Sequence, residues 1–84
     1  MELMEQAKKI QTRDDFVVFL HNLLRDLREC PERWENASLE AYLEAMAAWV
    51  QDMDGYYRNR GEKVPKHLTW QHLGEILLAA GIYE

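Results

Sequence analysis

One cysteine, two prolines and four glycines are spread through this 84-residue chain, and each scarcity excludes something. A lone Cys30 forms no internal disulfide and cannot build a structural zinc site, so the composition fits a reducing compartment and a cytoplasmic location is expected. Ser38 is the only serine and, like Thr12 and Thr69, stands where a helix N-cap is wanted, which leaves nucleophilic catalysis poorly supplied. Cys30 precedes a proline at a helix C-terminus, the end of the helix dipole that disfavours a thiolate. No stretch approaches 18 uninterrupted apolar residues, so no membrane-spanning helix is expected. The opening MELMEQAKKIQTRDD has no long apolar core and carries acids early, unlike a secretion signal.

Basic residues are also missing where they would matter for nucleic acid. Between Glu35 and Asp54 lie Glu35, Glu40, Glu44, Asp52 and Asp54 with no lysine or arginine, and the net charge is −5. Arg58, Arg60, Lys63 and Lys66 make a small basic corner beside that acidic side. Binding to a phosphate backbone needs a net basic face, so no nucleic-acid partner is expected. Metal chemistry fares no better. Asp52-Met53-Asp54-Gly55 resembles the start of a calcium loop, but Tyr56, Tyr57 and Lys63 fall where an oxygen ligand, a glycine and a bidentate glutamate are required. His21, His67 and His72 include no i,i+4 pair and read as surface residues, so neither metal nor cofactor is expected.

What the chain does have is helical apolar periodicity. The residues Leu39, Leu43, Met46, Val50, Met53 and Tyr57 follow at alternating steps of four and three, one continuous stripe. Tyr42, Trp49 and Tyr56 form a second stripe roughly 60–100° to its side. A helix apolar on two sides must be covered twice, so this third helix, about residues 38–60, is expected to be the central pillar. On that reading Val50→Asp or Met46→Asp unfolds the chain. Ser38 caps it and Gly61 ends it.

The second helix begins at Thr12 with Asp14 and Asp15 in its first turn, and Pro31 stops it. Phe16, Leu20, Leu23, Leu24 and Leu27 form its expected inner face, flanked by Val17, Phe19 and Cys30. A short helix of about Glu2–Ile10 precedes it, and Thr69 caps a fourth, Trp70–Ala80, closed by Gly81. Ile82-Tyr83-Glu84 is expected to pack back onto the domain. No strand is expected. The fold is therefore all-α, one domain over residues 1–84. It is a compact bundle of three main helices plus a short N-terminal one.

Two features bear on function. Glu35 beside Trp34 is the one candidate general acid, although a Trp-Glu-Asn connector is also a natural way to bond backbone groups at a helix start. Six rings, Trp34, Tyr42, Trp49, Tyr56, Tyr57 and Trp70, are more than a small core easily buries, and such rings are favoured interface anchors.

The strings DFVVFLHNLLRDL, PERWENASLEAYLEAMAAWVQDMDGYYRNRG and TWQHLGEILLAAGIYE together resemble a small all-helical bacterial family known only as a domain of unknown function. The resemblance covers about Asp14–Glu84 and implies a compact helical domain without implying an activity. The leading expectation for function is a non-enzymatic protein-binding module of inhibitor, immunity or accessory type. It would present Glu35, Glu40, Glu44, Asp54, Tyr56 and Tyr57 to a basic protein partner. A homo-oligomer burying surplus aromatics is the alternative, and a small hydrolase or metal-assisted enzyme is a third reading.

Overall fold

The computed structural model describes residues 2–82, so the expected packing of Tyr83 and Glu84 lies outside the described residues. Four helices follow in order: α1, Leu3–Lys8; α2, Arg13–Glu29; α3, Leu39–Asn59; and α4, Trp70–Ile82; a 3-10 turn, Pro31–Arg33, joins α2 to the connector before α3. There is no strand among the described residues.

The helix starts form as the local chemistry dictates. Thr12 Oγ1 accepts from the Asp15 amide at 3.1 Å while the Asp15 carboxylate accepts from the Thr12 amide at 3.3 Å, a reciprocal capping box. Ser38 Oγ accepts from the Ala41 amide at 3.2 Å, and Thr69 Oγ1 from the His72 amide at 2.9 Å. Past the end of α3, Gly61 has φ +71°, the left-handed conformation that a residue without Cβ adopts at least cost.

The centre of the molecule is not where periodicity places it. α4, not α3, is the pillar: it packs against α1, α2 and α3, whereas α2 and α3 make little contact with each other. From Gln71 to Gly81 every residue of α4 is buried or half-buried. A helix apolar nearly all round belongs in the middle. α3 meets α4 along its second stripe, with Trp49 buried and Tyr42 and Tyr56 half-buried around it. The leucine stripe sits about 80° off that contact line and hangs over its edge. Tyr57 is buried and Met46 and Met53 partly so, but Leu39 is 73% exposed, Leu43 53% and Val50 39%. Val50→Asp therefore does not bury a charge.

α2 is rotated relative to its expected face as well. Phe16, Phe19 and Leu23 are its buried residues, with Phe19 fully enclosed, while Leu20 and Leu24 face outward. Ala7 and Ile10, from α1 and the turn after it, complete this half of the core. At the other end of α4, Gly81 does not stop the helix. It lies inside α4 with the Trp34 ring laid against it, so close that an added Cβ would stand 2.8 Å from Cε3 and Cζ3.

Candidate functional site

Because α2 and α3 both lean on α4 without closing on each other, a cleft of about 310 Å³ opens between them. Leu20, Leu24 and Leu27 of α2 form one wall, Leu39 the other, and Leu23, Trp34 and Tyr42 the floor. The floor is fixed by hydrogen bonds. Trp34 Nε1 donates to Asp26 at 2.9 Å, and Arg33 Nη2 donates to the other oxygen of the same carboxylate at 2.7 Å. The Tyr42 hydroxyl donates to the Leu77 carbonyl at 2.7 Å, and burial pushes its pKa up to about 12. Asn36 clamps the connector to the end of α4: its amide donates to the Gly81 carbonyl at 3.0 Å and its side-chain Nδ2 to the Ala80 carbonyl at 3.1 Å.

The residues lining the cleft are uncharged, and charged side chains stand beyond it on both helices. On α3, Glu40, Glu44 and Asp54 are exposed and share the face next to Leu43 and Val50. On α2, Arg13, Arg25 and Arg28 are exposed together with Asp14, Asp15 and Glu29. Leu39, Leu43 and Val50 of α3 and Val17, Leu20 and Leu24 of α2, six apolar residues, are each at least 37% exposed. Isolated surface leucines are ordinary, and of these six Leu20, Leu24 and Leu39 line the cleft. No signal in the sequence marks the cleft, since Leu20 and Leu24 lie on the expected inner face of α2.

The residues expected to meet a partner are divided by the structure. Glu35, Glu40, Glu44 and Asp54 are exposed. Tyr56 is half-buried with the Arg60 guanidinium 5.4 Å above its ring. Tyr57 is unavailable. It is only 4% exposed, and its hydroxyl donates to Glu75 at 2.9 Å; burial and that hydrogen bond raise its pKa. Glu35 sits at the surface rather than in a pocket against Trp34, and the backbone bonding expected of the pair is done by Asn36. Asp54 and Arg58 do not form the ion pair that their spacing suggests; among the described residues Arg33–Asp26 and Arg60–Glu62 are the ion pairs.

A second groove, about 630 Å³, runs between α1 and α3 over α4. Ala7, Trp49, Leu78 and Ala79 line it, with Lys8, Asp52 and Glu75 among its polar groups. Among the described residues no group of three or more His, Cys, Asp or Glu is placed to hold a metal ion, so His67, His72 and Glu75 are not gathered into a site.

His72 itself is the main surprise. It is 5% exposed rather than on a polar face, packed edge-on against Tyr57, and neither ring nitrogen has a hydrogen-bond partner. Burial lowers its pKa below the ordinary 6.5, against the opposing pull of Glu75. A folded-state pKa below the unfolded one gives stability that is intact above pH 6.5 and lost as pH falls through the folded value. Stability from urea melts should therefore decline below that pH. His72→Leu should flatten the decline, since it also removes two orphaned buried nitrogens. An unchanged slope in the variant would assign the decline to other groups.

The family model described as a family of unknown function (DUF7660) matches residues 12–84. The chain belongs to this family. The family match takes in α2, α3, α4 and the whole α2–α3 cleft, while α1 lies before its first residue. No curated protein and no solved structure matches the chain significantly. No helix among the described residues is long and apolar enough to cross a membrane.

Proposed function

We propose that the chain is a non-enzymatic protein-binding module whose docking surface is the α2–α3 cleft. One observation carries the reading. Among the described residues Leu39, Leu43 and Val50 of the α3 stripe are left exposed, while Met46 between them packs on the core, and α2 exposes Val17, Leu20 and Leu24. Grooves of this kind take an apolar helix face through anchors spaced three and four residues apart. Tyr42 and Trp34 at the floor supply rigid aromatic surface of the type that dominates binding energy. The acidic residues Glu40, Glu44 and Asp54 border the anchors, where they influence association rate and orientation more than affinity.

The test compares wild type with a Leu39→Glu, Leu43→Glu double variant. Both positions are more than half exposed, so the variant should keep its helical circular dichroism and melting temperature. A polypeptide retained from lysate by immobilised wild type should be lost with the variant, and should rebind wild type alone when purified. Identical retained sets for the two proteins would defeat the reading.

A further inference from the structure

Gly55 is a residue that the fold does not require. It stands inside α3, where alanine is preferred by about 1 kcal/mol. Gly61 is the positive-φ glycine among the described residues, so no left-handed turn accounts for Gly55. No close approach does so either, since no neighbouring atom of the described residues stands within 4 Å of an added Cβ. What a side chain there would enter is the groove of about 630 Å³ between α1 and α3, whose α3 wall Gly55 shares with Trp49, Asp52, Tyr56 and Asn59 at helical spacing. Bare backbone lets a ligand come close to a helix, and the volume is that of a small-molecule site.

The half-buried polar group of that groove is a carboxylate already set in place. Glu75 of α4 accepts from the Tyr57 hydroxyl at 2.9 Å through Oε1 and from Gln71 Nε2 at 3.4 Å through Oε2. A carboxylate offers about four lone-pair sites, so acceptor capacity is left over. Buried charges are ordinarily paired, yet among the described residues no lysine, arginine or histidine forms an ion pair with Glu75. Lys8 is the one cation of the lining, against Asp52 and Glu75. Arg60, which lies over the Tyr56 ring, is matched by Glu62 at 3.0 Å. A half-buried carboxylate without a cation, beside the rings of Trp49 and Tyr56, suits a ligand that brings both an ammonium group and a flat apolar body. We propose that the α1–α3 groove binds a small aromatic amine, its ammonium on Glu75 and its ring between Trp49 and Gly55. The groove shares no lining residue with the α2–α3 cleft, so the two readings are independent.

The test is a nuclear magnetic resonance titration of the isotopically labelled chain with phenethylammonium. Phenylpropionate, the same ring on a carboxylate, is the control. At up to about 10 mM, the range of fragment affinities, the ammonium should shift the Gly55 amide and the Trp49 indole N–H saturably. Phenylpropionate should bind about tenfold more weakly or less, for want of the charge-assisted bond. Glu75→Gln, which keeps an acceptor for the Tyr57 hydroxyl, should remove that preference. Gly55→Leu, which projects a side chain into the groove, should abolish the shifts with helical circular dichroism unchanged. Gly55→Ala adds one methyl to the same wall and should weaken binding several-fold while raising the melting temperature. An absence of saturable shifts with the ammonium overturns the proposal, as does equal binding of the two probes. Binding unchanged in folded Gly55→Ala and Gly55→Leu overturns it too.

Discussion

Phe19→Ala should remove most of the stability of this chain, about 3–5 kcal/mol, the usual cost of deleting a fully buried phenylalanine. Phe19 is the largest side chain completely enclosed by the fold, held between α1, α2 and α4 near Ile10 and Gly74. A domain of this size has a total stability on the order of 5 kcal/mol, so the variant should retain about 0–2 kcal/mol and melt at a much lower temperature than wild type. Leu43→Ala, which deletes a comparable apolar group from the α3 stripe, should cost well under about 1 kcal/mol, as expected of a surface substitution. Urea denaturation of the pair checks both. Equal losses, or a larger loss at Leu43, would mean that the leucine stripe is the core and that α2 is turned the other way.

Gly81→Ala should be strongly destabilising, and Gly55→Ala should not. Both glycines lie inside helices, where alanine is preferred by about 1 kcal/mol on backbone grounds alone. At Gly55 nothing stands within 4 Å of an added Cβ, so that preference is realised and the variant should gain stability. At Gly81 the new methyl would press on the Trp34 ring at 2.8 Å. A six-membered ring edge has no flexible end to yield, and overpacking of this kind costs about 1–3 kcal/mol. Any displacement of Trp34 also disturbs its 2.9 Å bond to Asp26 and the Asn36 amide bond to the Gly81 carbonyl. The net loss should be about 2 kcal/mol, read as opposite shifts in melting temperature for the two variants. A stabilised Gly81→Ala would show that the connector does not rest on α4.

The same residues show which parts of the fold are legible in the sequence. Thr12, Ser38, Thr69 and Gly61 act at helix ends through bonds or dihedrals spanning a few residues, and such local chemistry can be read directly from sequence. Pairing of helices is not local. Periodicity says that Leu39, Leu43, Met46 and Val50 share a face but not whether that face or the Tyr42–Trp49–Tyr56 face meets the rest of the chain. α4 had the stronger claim to the centre: LGEILLAAGI is apolar around its circumference, and only a surrounded helix tolerates that. Gly81 was ambiguous for a physical reason. A glycine near the end of a helical pattern serves equally as a stop or as a bare surface for another ring, and Trp34, 47 positions earlier, decides between them. His72 lies between Gln71 and Leu73, and sequence offers no sign that Tyr57 will close over it. The cleft was not legible: Leu20 and Leu24 share the expected inner face of α2 with Phe16 and Leu23, and only the position of α4 leaves them outside it.

Helix order also governs when the molecule can acquire a core. α1, α2 and α3 make their largest contacts with α4, which follows all three along the chain. Ile10 reaches its neighbour Gly74 only across most of the sequence, and the Asn36 clamp waits for Ala80 and Gly81. A bundle of sequential hairpins gains stability piece by piece during synthesis. This chain cannot, because loop-closure entropy must be paid across long separations before packing offsets it. While it is being made, Phe16, Phe19, Trp34 and Trp49 have only their partners in α1–α3 and lack the cover of α4, so the interval before Trp70–Ile82 is available is the one in which apolar surface is most open to other chains.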